Sequence, residues 1–189
     1  MNEAHTTFLA SDEWQELLRD MVFPFAFRDR SPADLGDDVV EIGPGPGRTT
    51  DLLRSQLPRV TAVELDPGLA GALAERLAGT NVEVHEADAT AMPFDDGRFS
   101  GAVSFTMLHH VPAERQDALF AEVLRVLRPG GLFVANDSVP SDELAAFHED
   151  DIYAPIEAGG LPDRLGAIGF TDVSVWSNEF AWAAHARRP

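Results

Sequence analysis

The stretch Val39-Val40-Glu41-Ile42-Gly43-Pro44-Gly45-Pro46-Gly47-Arg48 decides the fold. Val39, Val40 and Ile42 form an abrupt apolar segment after a polar run containing Pro32 and Asp34, and glycines at alternate positions follow at once. Glycine accepts positive φ and permits close approach to the backbone, so such a run turns the chain sharply beside a ligand. A helix is expected next, near residues 49–56, its first N–H groups available to polar ligand atoms. Strand, glycine turn and helix in this order suit a cofactor-binding turn; the plain alternative is a Gly/Pro loop with no ligand. Counted from Gly43, Arg48 stands where the stricter dinucleotide fingerprint requires a small residue, which weakens a nicotinamide reading.

Outward from this turn, residues 60–65, 82–85, 102–105 and 132–135 are short apolar runs with the continuous character of buried strands. Helical stretches lie between them at 68–77 and 113–127; the second has a periodic face of Ala118, Leu119, Val123, Leu124 and Leu127 and ends at Pro129-Gly130-Gly131. Strand and helix repeated in this way predict an α/β fold, a mostly parallel sheet covered by helices on both faces. A short helix at 161–168 ending at Gly169 and two closing strands at 170–176 and 179–187, turning at Ser177-Asn178, complete the pattern. Upstream, Ser11 caps a helix over 11–23 with Trp14, Leu17, Leu18, Met21 and Val22 on one face and Pro24 as its stop. Residues 1–189 are expected to form one domain, with 1–36 as a helical cover and 137–160 as a small insertion or lid.

Composition narrows the partners. At roughly 150 residues per domain, 189 residues suit a single core. All 14 basic residues are Arg, against 32 acids, for a net charge of -18. That balance argues against nucleic acid and anionic membranes, and the absence of Lys excludes a P-loop. There is no Cys, hence no disulfide or thiolate site. Residues 1–11 lack the features of a secretion signal, and no apolar run approaches the roughly 20 residues of a membrane span, so a soluble cytoplasmic protein without membrane insertion is expected.

Three strand ends carry ligand-competent groups. Glu64 lies 21 residues after Gly43, and a carboxylate there can accept from both hydroxyls of a ribose. Asp66, followed by Pro67, reads instead as a helix cap. Asp88-Ala89 follows the third strand, with Met92-Pro93-Phe94 just beyond. Their joint spacing predicts one crevice at the carboxyl edge of the sheet. After the fourth strand, His109-His110 offers imidazoles that could take a proton or simply hold a loop, and Asp137 follows the fifth. The six histidines are dispersed, with neither H-E-x-x-H nor an EF-hand pattern, so no metal site is expected.

These motifs resemble those of class I S-adenosylmethionine-dependent methyltransferases, in particular the small-molecule branch, closely over residues 37–135 and more weakly to Arg187. The resemblance implies a Rossmann-like, seven-stranded sheet of order 3-2-1-4-5-7-6 with strand 7 antiparallel, and S-adenosyl-L-methionine as cofactor. It places Glu41, Gly43, Pro44, Gly45 and Gly47 at the methionyl and ribose portions, Glu64 on the ribose and Leu65 against the adenine. Asp88 takes the adenine amino group and Ala89 a ring nitrogen, while Met92 pads the ring. His109 is expected nearer the cofactor, and His110, with Asp137, on the acceptor side. The implied reaction is direct in-line methyl transfer to a small organic acceptor, within an aromatic wall drawn from Trp14, Phe23, Phe25, Phe27, Phe147 and Tyr153. No Arg occurs in 129–163, whereas seven acids fall within 137–157, which favours a neutral or cationic acceptor over a phosphate-rich one. The alternatives are a binding or regulatory module of this fold without turnover, and an NAD-dependent oxidoreductase. A homo-oligomer stays open, since aromatic residues outside the sheet could serve pocket, core or interface.

Overall fold

The central strand β1 (Val39–Ile42) is buried along its whole length. Side chains alternate across a strand: Val39 enters a core cluster with Phe23, Phe27, Leu35 and Leu53, whereas Val40 and Ile42 enter another with Leu119, Phe120 and Val123. A strand clad on both faces has no polar side to offer, which explains the unbroken apolar run. The computed structural model describes residues 3–189, with side chains from residue 6 onward. Residues 1 and 2 of the expected cover, and the His5 side chain, lie outside what is described.

From β1 the chain passes through the glycine turn into α4 (Arg48–Arg54), then β2 (Val60–Glu64), α5 (Pro67–Arg76), β3 (Val82–Glu86), β4 (Phe99–Phe105), α6 (Ala113–Val126) and β5 (Leu127–Ser138). It continues through α7 (Asp142–Phe147) and α8 (Leu161–Ile168) to β6 (Thr171–Ser177) and β7 (Ala181–Arg187). The seven strands are ordered β3-β2-β1-β4-β5-β7-β6. Strands β1 to β5 pair in parallel, and β7 runs antiparallel to both β5 and β6. This is the Rossmann-like architecture and strand order that the resemblance implies. Asp66 caps α5 by accepting from the N–H groups of Gly68 and Leu69, with Pro67 at the first helical position. Gly169 ends α8 at φ 119°.

Two local expectations need correction. Pro24 does not stop the first helix. After α1 (Glu3–Leu9) and α2 (Asp12–Leu17), with Ser11 as cap, a π-helical turn (Leu18–Val22) leads directly into α3 (Phe23–Phe27). The π turn closes with the Phe23 N–H on the Leu18 carbonyl, so the chain stays helical up to Pro24 and passes through it. Nor do Pro129 to Gly131 separate α6 from the next strand. Extended structure begins at Leu127, opposite Phe99, and the register slips before Leu132 pairs with Gly101. Residues 128–131 thus form an irregularity within β5, with Gly130 at φ 78°.

Candidate active site

The strand order reverses between β1 and β4, and a crevice of about 790 Å³ opens there, outside the carboxyl ends of the parallel strands. Its floor is the glycine turn. Gly43, Gly45 and Gly47 all have positive φ, and a Cβ on Gly43 would lie 2.1 Å from Met107 Cγ. Gly47 has the αL conformation just before α4. From outside, Arg76 braces the turn, donating to the carbonyls of Pro46 and Gly47 at 3.2 Å while pairing with Asp51 at 2.7 Å.

Behind β2, Glu64 is buried at the crevice wall. Its Oε2 accepts from the Gly45 N–H at 2.9 Å and Oε1 from the Asp66 N–H at 3.0 Å, so one carboxylate ties the first strand end to the second. Behind β3, Asp88 accepts from the Thr90 N–H at 2.9 Å and from Arg115 at 2.7 Å. Burial works to raise its pKa, but Thr90 and Arg115 outweigh that and hold it below the usual carboxylate range. Leu65 and Ala89 also line the crevice. The fold therefore brings Gly43, Pro44, Gly45, Glu64, Leu65, Asp88 and Ala89 around one space.

Other expected residues lie elsewhere. Glu41 is buried in β1 and is not on the crevice wall; one of its carboxylate oxygens has no hydrogen-bond partner among the described residues. Burial pushes its pKa up to about 8. Met92 is in the core between sheet and α6, its N–H bound to Glu122 at 2.6 Å, so it does not pad a ring in the crevice. The aromatic wall is mostly core: Phe23 and Phe27 pack on Phe105, and Phe25 contacts Trp176. Trp14 alone of the expected set lines the crevice.

The histidines are distributed differently from expectation. His110 lines the crevice beside Thr106 and Met107, at the turn after β4. His109, expected nearer the cofactor, is buried on the far side of that turn. Its Nδ1 meets Asp137 Oδ1 at 2.5 Å, and Asp137 Oδ2 accepts its backbone N–H at 2.9 Å. Asp137 is 1% exposed and spends its remaining contact on the Ser138 N–H, so it can act on the crevice only through His109. His148, carried in by the segment after α7, places Nε2 at 3.1 Å from His109 Nε2. The six histidines are thus not all dispersed; three of them meet.

Arg48, Thr106 and Arg115 were not foreseen. Arg48 reaches the N-terminal helices, donating to Ala10 O, Gln15 Oε1 at 2.8 Å and Asp12 Oδ1 at 2.9 Å. The residue that breaks the dinucleotide fingerprint thereby anchors the cover whose Thr6, Leu9 and Trp14 close one side of the crevice. Thr106 has φ 50°, uncommon for a β-branched residue, at the point where β4 meets the crevice. Only the spacing of an Arg in the first turn of α6 could have hinted at Arg115.

A sheet of this order with a glycine-floored crevice at its switch point is the architecture of class I S-adenosylmethionine-dependent methyltransferases, and the chain belongs to that family. Residues 39–131 match the family described as a methyltransferase domain. The chain is 34% identical over 134 residues to the phthiotriol/phenolphthiotriol dimycocerosates methyltransferase of Mycobacterium tuberculosis, covering 68% of this chain and 48% of that protein. It is 43% identical over 93 residues to the ribosomal RNA small subunit methyltransferase A of Pelotomaculum thermopropionicum, covering 44% and 30% respectively. The chain thus spans less than half the length of either relative. In fold it is similar to a SAM-dependent methyltransferase from Aquifex aeolicus, with a TM-score of 0.76 over the whole of both chains at 16% identity. No helix among the described residues is long and apolar enough to cross a membrane.

Proposed function

We propose that the chain transfers the methyl group of S-adenosyl-L-methionine to a small organic acceptor. One observation carries this reading: Gly45, Glu64 and Asp88, from three successive strand ends, line a single crevice. The residues suit the cofactor, since Glu64 offers two carboxylate oxygens at the depth of a sugar and the glycine turn lets a ligand lie against bare backbone. When bound, S-adenosyl-L-methionine supplies an electrophilic sulfonium methyl group. Glu64 would hold the ribose hydroxyls, Leu65 and Ala89 the adenine plane and ring edge, and Asp88 its amino group. Gly43, Pro44, Gly45 and Gly47 would pass beneath the methionyl portion, with Glu41 behind them.

The remaining work is alignment. His110 is placed to orient an acceptor or take its proton, while Asp137 and His109 position that turn from behind. Trp14, Thr6 and Leu9 exclude water from above. Relatives include proteins named for a lipid and for ribosomal RNA. A charge of -18 makes RNA a poor acceptor for this chain, and the acids of 137–157 favour a neutral or cationic small molecule. We place the protein in the cytoplasm, with 1–36 as cover and 137–160 as an insertion over the acceptor side.

Calorimetric titration with S-adenosyl-L-methionine and its demethylated product tests the reading. One equivalent should bind, Gly45→Arg should abolish binding, and Glu64→Ala should weaken it about 100-fold. A folded wild-type chain that binds neither compound would end the proposal; binding without turnover on a broad acceptor panel would favour a regulatory module.

A further inference from the structure

We propose that His109, His110 and His148 form a binding site for one divalent transition-metal ion, of the zinc or iron(II) class, behind the acceptor half of the crevice. One ligand-competent atom from each ring lies within 4.8 Å of those of the other two. His109 and His148 are buried, whereas His110 both belongs to the cluster and faces the crevice. Imidazole nitrogens bind zinc at about 2.0–2.1 Å, so the donors of a tetrahedral site stand roughly 3.3 Å apart. The His109–His148 pair, at 3.1 Å, already has that separation. His110 needs only an inward movement of its ring.

Hydrogen bonding on the outer side of the rings says which nitrogens face the centre. His148 Nδ1 lies 2.6 Å from the Leu144 carbonyl, which can only accept, so Nδ1 carries the proton. His109 Nδ1 lies 2.5 Å from the Asp137 carboxylate and donates likewise. In the neutral rings both Nε2 atoms then present lone pairs to one another at 3.1 Å, an arrangement that calls for positive charge between them. His110 Nδ1 is 3.7 Å from Asp151 Oδ2, and its Nε2 is buried. A carboxylate behind His109 and a carbonyl behind His148 are the arrangement that fixes tautomer and orientation in metal-binding histidines.

Two candidates can supply the charge. A single proton held by His109 would satisfy Asp137 and His148, but it employs two rings, whereas three ring nitrogens converge within 4.8 Å. A metal employs all three. Three imidazoles without thiolate suit zinc, iron(II), cobalt or nickel rather than magnesium or calcium, which prefer oxygen. Three protein ligands also leave a coordination position for water or an acceptor atom. The site as such does not depend on methyl transfer. Only a role in holding an acceptor rests on the function proposed above.

The test uses the full chain, stripped with a chelator and titrated with Co²⁺ followed by visible absorption, and with Zn²⁺ by calorimetry. One equivalent should bind, with d–d bands of nitrogen-coordinated cobalt. His148→Ala and His110→Ala should each lower affinity at least about 100-fold, and Asp137→Asn about 10- to 100-fold through His109. His85→Ala, on edge strand β3, should leave it unchanged. Circular dichroism and thermal melting identify any variant that fails to fold, and the crevice-facing His110→Ala then carries the test. Absence of saturable binding to the folded wild-type chain would overturn the proposal, as would binding indifferent to both His148→Ala and His110→Ala. Imidazole ¹⁵N shifts showing a protonated His109 in chain that takes up no metal would assign the charge to the proton instead. Failure here leaves cofactor titration untouched, and failure of cofactor titration leaves the cobalt spectrum to be read on its own.

Discussion

The two halves of the crevice are built on different principles. On the cofactor side, Gly43, Glu64 and Asp88 each sit immediately behind a parallel strand, and the regular crossover of one strand to the next brings them together. On the histidine side, His109 is joined across 28 residues to Asp137, near the end of β5, and across 39 to His148, which the segment beyond β5 carries in. The first half is a property of the sheet, and local sequence suffices to place it. The second depends on where one loop folds back, so its side chains have to hold each other.

If that contrast is right, the largest stability loss should come from the histidine half. Asp137→Ala removes the partner of a buried pair in which both side chains are almost wholly inaccessible. Leaving a buried donor such as the His109 Nδ1–H without its acceptor costs about 1–3 kcal/mol, more when the lost partner is charged. Denaturant unfolding should show it as a fall in midpoint with an unchanged slope. A loss under about 1 kcal/mol would mean that the cluster is an ornament on a loop already held by Gln116, whose side chain donates to the Val111 and Ala154 carbonyls.

Glu41 sharpens the contrast from beneath the cofactor half. Its pKa of about 8 exceeds the ordinary 4.5, so between those values the folded chain holds a proton that the unfolded chain has released. This group therefore makes stability fall as pH rises from about 4.5 to 8, and the loss is complete above the folded value. Glu41→Gln should remove that slope and stabilise the protein by up to about 5 kcal/mol at pH 9, seen as a gain in melting temperature that shrinks towards pH 5. Equal gains at both ends of the range would show that charge is not what makes Glu41 costly.

Legibility follows the same division. The strand order, the glycine turn, the Asp66 cap and the Gly169 stop depend on residues a few positions apart, and each acts through backbone chemistry that a residue type announces. Met92 was misplaced because its apolar character suits a core as well as a ring, and only packing against α6 decides between them. The meeting of His109 and His110 with His148 has no signature in the sequence, because a cluster assembled from two segments 38 or more residues apart has no characteristic spacing. Pro24 misled because the chain entered a π turn before it, a step that hydropathy does not register.

Within the cofactor half, Gly43→Ala should matter more than its single added methyl suggests. A φ of 67° is unfavourable for any residue with a Cβ, at about 1–2 kcal/mol, and the new atom would also press on Met107. Because Met107 opens the turn that carries His110, the strain should travel across the crevice. Both melting temperature and cofactor affinity should fall, while Gly159→Ala, where a Cβ would meet nothing within 4 Å, should be silent. Equal effects at the two positions would deny that the glycine turn is the mechanical link between the halves.

The smallest effect is expected at Arg48, which borders the crevice and ties the cover to the helix after the glycine turn. Its salt bridge to Asp12 is on the surface, since the Asp12 side chain is 91% exposed, and exposed pairs contribute less than about 1 kcal/mol. Arg48→Ala should therefore leave the melting temperature almost unchanged. The same substitution removes the bonds to Ala10 O and Gln15 Oε1 as well, and these hold α2 and the Trp14 wall against the crevice. Amide exchange in residues 6–17 should accelerate, and bound cofactor should dissociate faster with little change in its rate of entry. Faster exchange without faster release would make the cover a mere cap on the sheet; unchanged exchange would show that packing of Phe23 and Phe27 on Phe105 suffices to hold it.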